Sequence, residues 1–167
     1  MSGMIGISKT EKSVEWYTPK WVFDTLNINF DLDPCSPFNF DTHVPATTKY
    51  TIFDDGLSKE WIGRVWLNPP YGREVEKWIK RMIDHKNGIA LVFSRTDSKW
   101  CQEAMKSADA VLFYRGRISF IDGATGKQNN NGGAGSLFLT WGEESVRALS
   151  NMSDKGFMIF NSAKDGE

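Results

Sequence analysis

Four consecutive residues, Asn68, Pro69, Pro70 and Tyr71, combine groups that could hold and activate an amine. A proline has no backbone N–H, so Pro69 and Pro70 offer carbonyl acceptors without competing donors, and the Asn68 side chain adds another carbonyl. Tyr71 adds a flat aromatic face. Together these groups suit a planar ring that carries an NH2 group, with the ring stacked on Tyr71 and the amine hydrogens held by the acceptors.

Acceptors placed in this way would do more than bind the amine. An exocyclic ring amine is a poor nucleophile because its lone pair is delocalised into the ring. Two acceptors outside the ring plane favour a tetrahedral nitrogen and free the lone pair for attack, which stabilises the transition state rather than the ground state. The alternative interpretation is a strand followed by a Pro-Pro turn with a packing tyrosine.

The flanking sequence places this motif at the end of a strand. A short apolar run, residues 65–67, precedes it. An apolar stripe at helical spacing follows it, formed by Val75, Trp78, Ile79, Met82 and Ile83. A strand-to-helix turn of this kind lies at the carboxyl edge of an open α/β sheet, where such sheets bind their ligands.

Length and composition indicate one globular domain. The 167 residues are 40% hydrophobic and 25% charged. We expect a flexible N-terminal arm over residues 1–12, a single domain over 13–162 with a mobile loop at 122–135, and a tail at 163–167. The net charge of −1 offers no overall attraction for nucleic acid, so DNA binding would depend on local basic clusters.

The cysteines and histidines indicate neither a disulfide framework nor a metal site. Cys35 and Cys101 are far apart, which favours reduced thiols in a reducing compartment, and His43 and His85 do not have metal-ligand spacing. The sequence contains no signal peptide or membrane-length apolar run. We therefore expect a cytoplasmic protein.

Two segments upstream of the motif carry candidate ligand-binding groups. Thr18 is predicted to cap a helix that begins at Pro19 and runs through Leu26, and the N–H groups at this end could receive a carboxylate. An ordinary capped helix is the alternative. Residues 30–33 then alternate between apolar and acidic, which predicts a short strand with Asp33 at its end. Asp33 could face the cationic end of a ligand or be a solvated turn residue.

The next segments are predicted to be a loop and an acidic turn. Residues 39–50 show no periodicity, and no glycine-rich nucleotide loop is present. Asp54 and Asp55 precede a turn glycine, and a carboxylate there could accept a hydrogen bond from a ring amine. Alternatively, the acidic turn caps a helix around residues 58–61.

Basic residues follow the predicted strands downstream of the motif. Arg95 and Lys99 lie in a polar loop after the apolar run 89–93, where they could contact phosphate; capping of the next helix by Asp97 or Ser98 is the alternative. After a strand at 110–114, Arg117 suits a phosphate contact, and Phe120 could cover a flipped base or pack in the core. A strand at 136–141, a helix at 143–149 and a strand at 156–160 follow the loop at 122–135.

In this order, the motifs resemble the phage-type DNA N-6-adenine-methyltransferase family, which is related to Dam enzymes. Residues 68–73 are similar to the family's catalytic motif. The weaker matching blocks are residues 15–19, 32–35, 54–57, 95–97 and 116–120. The resemblance covers residues from Glu15 to Trp141.

The resemblance implies an α/β fold of the Rossmann-like, S-adenosylmethionine-dependent methyltransferase type, with a mixed, mainly parallel sheet flanked by helices and no separate target-recognition domain. It implies methyl transfer from S-adenosylmethionine to N6 of an adenine flipped out of double-stranded DNA, in a phage-encoded protein. The residues expected to be catalytic are Asn68, Pro69, Pro70 and Tyr71. Those expected to bind the cofactor are Tyr17, Thr18, Pro19, Asp33, Pro34, Cys35, Asp54, Asp55 and Asn68. Those expected to bind the substrate are Tyr71, Arg73, Arg95, Lys99, Arg117 and Phe120. No metal is expected.

Two departures from the wider methyltransferase pattern leave alternatives open. The glycine-rich cofactor loop is missing. A separate target-recognition domain is missing as well, so a homodimer or a protein partner would be one source of target recognition. The same four-residue motif also occurs in enzymes that methylate a glutamine amide in proteins, and methylation of the cytosine amine is a related alternative. The third alternative is a nucleic-acid-binding module without catalytic activity.

Overall fold

In the computed structural model, which describes residues 16–130 and 134–162, a seven-stranded mixed sheet is flanked by helices. The elements are β1 (Trp16–Tyr17), α1 (Lys20–Leu26), β2 (Phe30–Asp33), β3 (Ala46–Lys49), β4 (Val65–Leu67), α2 (Val75–His85), β5 (Gly88–Phe93), α3 (Lys99–Ser107), β6 (Ala110–Tyr114), β7 (Ser119–Asp122), β8 (Gln128–Asn130), β9 (Ser136–Trp141), α4 (Glu143–Ser150) and β10 (Gly156–Phe160). A single 3-10 turn, Ser153–Lys155, joins the last two.

The order of the strands creates a crevice beside β2. The large sheet has the order β10-β6-β9-β5-β4-β2-β3, in which β3, β2, β4 and β5 are parallel. The chain leaves β2 for β3 on one side and then returns to β4 on the other. This reversal is a topological switch point, and ligands of open α/β sheets bind at the carboxyl ends of the strands that flank it.

Side chains of the central strands alternate between two hydrophobic layers. Val65 and Leu67 pack with α2 and α3 on one face of the sheet, whereas Trp66 packs with α1 and α4 on the other. The Trp66 ring meets Phe23 edge-on, with centroids 4.7 Å apart. Because β4 is buried on both faces, it holds the residues that follow Leu67 in a fixed position.

A second, three-stranded sheet joins the start of the described chain to the region after β6. Its order is β1-β7-β8, and both pairings are antiparallel. Trp16 is paired with Asp122, and Tyr17 with Ile121. This pairing fixes the segment that leads into Thr18.

The structure confirms most of the predicted elements. The strands expected at 30–33, 65–67, 89–93, 110–114, 136–141 and 156–160 are present, as are the helices after the central motif and at 143–149. The coarse fold prediction, a mixed sheet flanked by helices, is confirmed as well, but the large sheet is not mainly parallel, because three of its six pairings are antiparallel. No described helix is long and apolar enough to cross a membrane.

Four local predictions are corrected. Pro19, not Thr18, is the N-cap of α1, and Thr18 instead accepts a hydrogen bond from Asn68. Residues 58–61 form a turn, a bend and irregular structure rather than a helix, and β3 lies within the predicted loop at 39–50. β8 lies within the predicted mobile loop at 122–135 because it pairs with β7. The predicted N-terminal arm and C-terminal tail lie outside the described residues.

Candidate active site

A cavity of about 420 Å³ lies at the switch point. Its walls come from the ends of β1, β2, β3 and β4, through residues 16–18, 33–39, 51–52, 55–56 and 68–70. Its volume falls in the range of about 300–1,000 Å³ that is usual for small-molecule sites. The strand ends that the sequence predicts to carry ligand-binding groups therefore meet around one cavity.

Asn68 is the polar residue that β4 delivers to this cavity. Its Nδ2 donates to the backbone oxygen of Trp16 at 2.6 Å and to Thr18 Oγ1 at 3.4 Å. Its Oδ1 is buried and accepts no hydrogen bond from any described residue. A buried acceptor without a donor costs about 1–3 kcal/mol, so a ligand N–H at this position would relieve a real penalty.

The two prolines provide further acceptors at the same wall. Pro69 and Pro70 both line the cavity, and no described N–H or O–H donates to either carbonyl. The Asn68 carbonyl differs, because it accepts a hydrogen bond from the Cys35 thiol at 3.2 Å. The arrangement can therefore receive the hydrogens of an amine through Asn68 Oδ1 and a proline carbonyl.

Asp33 brings a buried carboxyl to the cavity from the end of β2. Its side chain is 4% exposed, and its Oδ1 accepts a hydrogen bond from the Cys35 N–H at 3.2 Å. Burial raises the pKa of Asp33 to about 7, and the Cys35 N–H and the charge of Lys49 limit the rise. A cationic ligand group beside Asp33 would favour the ionised form and bind to it.

The turn after β3 closes a third side of the cavity. Asp55 and Gly56 line it, and Asp55 adopts a left-handed conformation with φ of 53°. Gly56 lies so close to the residue after β2 that an added Cβ would come within 2.0 Å of the Pro34 oxygen. The backbones of the two loops therefore touch, which only glycine allows here.

The Asp54 side chain is bonded to groups of its own loop and not to the cavity. Its carboxylate accepts hydrogen bonds from Thr51 N at 2.8 Å and from Lys59 Nζ at 3.1 Å. These contacts, that of Thr51 first, lower the pKa of Asp54 below its ordinary value. Asp54 does not line the cavity, whereas its neighbour Asp55 does.

Most of the predicted cofactor-binding residues meet at the cavity. Those that line it are Tyr17, Thr18, Asp33, Pro34, Cys35, Asp55 and Asn68. Pro19 and Asp54 do not. Tyr17 is also stacked on Phe40, with ring centroids 4.8 Å apart, which ties β1 to the loop after β2.

Tyr71 lies beyond the cavity, in an aromatic cluster with Phe93 and Phe120. The Tyr71 and Phe93 rings are stacked with centroids 3.8 Å apart and 19° between their planes. Burial raises the pKa of Tyr71 above its ordinary value. Phe120 meets Phe93 edge-on and is 1% exposed, so it is a core residue without a free face for a base.

Three of the predicted substrate-binding residues are exposed near this cluster and pair with no described carboxylate. Arg73, Arg95 and Arg117 follow β4, β5 and β6, and none pairs with a described carboxylate. Lys99 differs, because it lies 3.8 Å from Glu103. The carboxyl edge of the sheet thus presents three arginines beside the motif.

Several cavity residues were missed by the sequence analysis. The Trp16 carbonyl carries no sequence signal, because every residue has one. Gly56 was recognised only as a turn glycine, although its close approach to Pro34 forms part of the wall. Phe38 and Ile52, which are 60% and 78% exposed, border the cavity as apolar side chains that no periodic pattern distinguishes.

No group of three or more His, Cys, Asp or Glu side chains within residues 16–130 and 134–162 is arranged to hold a metal ion. Neither cysteine is in a disulfide. The polar side chains that line the described cavity carry amide, carboxyl, hydroxyl and thiol groups.

Comparison with known proteins identifies a family for this arrangement. The family described as DNA N-6-adenine-methyltransferase (Dam) matches residues 7–159, a range that contains every segment lining the cavity. A DNA N-6-adenine-methyltransferase of Escherichia phage T1 is 28% identical over 149 residues, which cover 74% of this chain and 60% of the relative. The chain thus spans about 60% of the length of that curated relative. No solved structure matches it.

Proposed function

This chain belongs to the DNA N-6-adenine-methyltransferase (Dam) family, and from that premise we propose that it methylates N6 of adenine in DNA with S-adenosylmethionine. The observation that carries the proposal is the buried, unpaired Asn68 Oδ1 beside two proline carbonyls that are free of described donors. An amine with two hydrogens is the substrate group that such a set of acceptors fits.

The cavity fits the cofactor in its chemistry. The buried Asp33 carboxyl suits the cationic amino-acid end, and Asp55 suits the amine of an adenine ring. The apolar side chains of Phe38, Ile52 and Trp66 at the same cavity suit the flat faces of that ring. When bound, S-adenosylmethionine supplies an electrophilic methyl group, whose bond to sulfur breaks as its bond to nitrogen forms.

The residues of the chain orient and polarise the amine. Asn68 Oδ1 and a proline carbonyl hold its two hydrogens outside the ring plane, so that the nitrogen lone pair points at the methyl carbon. Both groups are held by the folded chain before the reaction, which makes their electrostatic effect available without reorganisation. The methylated nitrogen is cationic and releases its proton to water, so no strong general base is required.

The target adenine must leave the duplex to reach this wall. Tyr71 is the proposed stacking surface, because it follows the acceptors directly. Arg73, Arg95 and Arg117, with Lys99 beside them, are the proposed contacts to the DNA backbone, since exposed arginines without carboxylate partners suit phosphate. Double-stranded DNA is thus the proposed partner, with a homodimer or a second protein as the proposed aid to target recognition.

The proposed fold is Rossmann-like. The support for it is the set of parallel strands β3, β2, β4 and β5 with the cavity at their switch point. The proposed location is the cytoplasm, that of the host cell for a phage-encoded protein, and the two unbridged cysteines fit that setting.

The direct test is transfer of a labelled methyl group from S-adenosylmethionine to unmethylated DNA, followed by nucleoside analysis. We expect label in N6-methyladenine, and its absence with the Asn68→Ala variant. Label in cytosine or in a protein glutamine would identify a different substrate for the same acceptors. Cofactor binding without transfer to DNA, RNA or protein would contradict the proposed activity, and a lack of cofactor binding would contradict the proposed cofactor.

A further inference from the structure

The Asn68 side chain is held by groups that lie about fifty residues earlier in the chain. Its Nδ2 donates to the Trp16 carbonyl at 2.6 Å and to Thr18 Oγ1 at 3.4 Å. Its Oδ1 has no donor among the described residues. One end of the amide is therefore engaged by two acceptors, whereas the other end is a buried acceptor without a donor, on a residue that lines the cavity.

The two ends of the amide are not interchangeable. If the amide were rotated by 180°, Oδ1 would lie against the Trp16 carbonyl, and two acceptors cannot form a hydrogen bond. The Trp16 carbonyl is itself held in place, because β1 pairs with β7 and Tyr17 is buried. The orientation of Asn68 is thus a consequence of the β1–β7 pairing and not of the local turn alone.

We propose that the Trp16 carbonyl and the Thr18 hydroxyl are positioning groups, which keep Asn68 Oδ1 available for the substrate amine and require an amide rather than a carboxylate at position 68. The role rests on the proposed function, because it concerns the acceptor of the amine. Thr18 then acts on the methyl acceptor through Asn68, in addition to any contact with the cofactor.

The first test is the Asn68→Asp variant, which keeps the shape of the side chain but lacks its donors. At pH 8 a carboxylate would face the Trp16 carbonyl, so turnover at saturating cofactor and DNA should fall by on the order of 100-fold relative to wild type. When the carboxyl is protonated, it can donate to Trp16 through one oxygen and accept through the other. The ratio of variant to wild-type turnover should therefore rise by about tenfold from pH 8 to pH 6.

The ratio of variant to wild-type turnover separates this effect from that of the other ionisable groups at the cavity, because Asp33, Cys35 and Asp55 are common to both proteins. A deficit that does not change with pH would overturn the proposal. So would a variant that matches wild type at pH 8, since a carboxylate would then serve as well as an amide.

The second test separates positioning from cofactor binding. Thr18→Val removes the oxygen that accepts from Asn68 and keeps the shape of the side chain, and Thr18→Ser is the matched control that retains the oxygen. We expect Thr18→Val to lower turnover several-fold with a smaller change in cofactor affinity, and Thr18→Ser to lose less. A loss confined to cofactor affinity would overturn the proposal, because Thr18 would then act only on the cofactor.

The third test does not need activity, so it separates failure of this proposal from failure of the proposed function. The Asn68 side-chain amide protons are identified by NMR from their absence in Asn68→Asp. Exchange slower than that of a free asparagine amide supports the hydrogen bonds to segment 16–18, even if no methyl transfer is found. Exchange at the free rate would overturn the positioning role, whatever the substrate.

Discussion

The two ends of the Asn68–Tyr71 segment have different surroundings. Asn68 lies at the cavity with an unpaired Oδ1, and the two prolines beside it have carbonyls without described donors. Tyr71, three residues later, packs on Phe93 outside the cavity lining, with ring centroids 3.8 Å apart. The first part of the motif is thus arranged to receive a ligand, and the last part is arranged as packing.

This difference indicates which groups of the motif are already positioned before a ligand binds. The amine acceptors are set by β4 and by hydrogen bonds to segment 16–18, so they need no ligand to order them. The aromatic surface for the target base is shared with the packing of β5. We therefore expect variants at the acceptors to affect turnover and variants at the aromatic and basic side to affect binding of DNA.

The largest expected effect is that of Asn68→Ala. Loss of the buried acceptor should lower turnover by roughly 100- to 1,000-fold, the range found when one group that stabilises a developing charge is removed. Cofactor affinity should change little, because the prolines and Asp33 remain. Single-turnover kinetics together with calorimetry for the cofactor measure the two effects. Turnover close to wild type would remove Asn68 from the chemistry and leave the two ends of the motif equivalent.

The second prediction concerns the buried carboxyl of Asp33. Asp33→Asn should weaken cofactor binding by roughly 10- to 100-fold, because a hydrogen bond to a charged group contributes about 1.5–3 kcal/mol. In wild type the carboxylate is the form that binds a cation, and the pKa of Asp33 is raised to about 7. Affinity should thus rise by about tenfold from pH 6 to pH 8 and then level off, whereas that of Asp33→Asn should stay flat. A pH-independent wild-type affinity in calorimetry would contradict a role for the Asp33 charge.

The same carboxyl predicts how the free protein responds to pH. Because burial raises the folded-state pKa of Asp33 from 3.8 to about 7, the protonated form is favoured by folding. Its contribution to stability is complete below pH 3.8 and is lost as pH rises through 7. Asp33→Asn, which is neutral throughout, should therefore gain in thermal midpoint over wild type as pH rises from 5 to 8. An equal difference at both pH values would mean that Asp33 ionises as it does in the unfolded chain.

The third prediction tests the aromatic end of the segment. Tyr71→Ala should lower kcat/KM for DNA by on the order of tenfold, since stacking of a base on an aromatic ring contributes about 1–3 kcal/mol. Tyr71→Phe, which keeps the ring, should lose less, and neither variant should change cofactor affinity. Phe93→Leu serves as the control for packing, because it removes the ring behind Tyr71. If Phe93→Leu impairs DNA methylation as much as Tyr71→Ala does, Tyr71 is a packing residue and not the stacking surface.

The amine acceptors around Asn68 could be predicted from the sequence better than the aromatic packing around Tyr71, for physical reasons. Asn68 and Pro69 come immediately after a short buried strand, and Asp33 is the last residue of another, so the strand pattern alone placed them at the edge of the sheet. The direction of the Tyr71 ring depends on the turn at Gly72, where φ is 129°, and on Phe93, which comes from another strand. Such a long-range contact has no local signal.

The same reasoning explains the misassigned elements. β3 has the sequence Ala-Thr-Thr-Lys and is only partly buried, so it shows neither an apolar run nor a clear alternation. It becomes a strand because β2 provides a parallel partner. Thr18 has the residue type of an N-cap, but its hydroxyl accepts from Asn68 instead. Tertiary contacts decided both cases.

The smallest expected effect belongs to the basic residues that border the aromatic cluster. Arg95→Gln removes one exposed cation that pairs with no described carboxylate. It should weaken DNA binding a few-fold, by the same factor for all DNA sequences. It should also reduce the slope of log affinity against log salt concentration by about 1. Lys106→Gln, on an exposed part of α3 that is remote from the motif in the chain, is the matched control for loss of one positive charge. Equal effects of the two variants on the salt slope would mean that DNA responds only to net charge. A larger effect of Arg95→Gln, with cofactor affinity unchanged, would instead locate the DNA backbone beside Tyr71 and confine the cofactor to the other end of the segment.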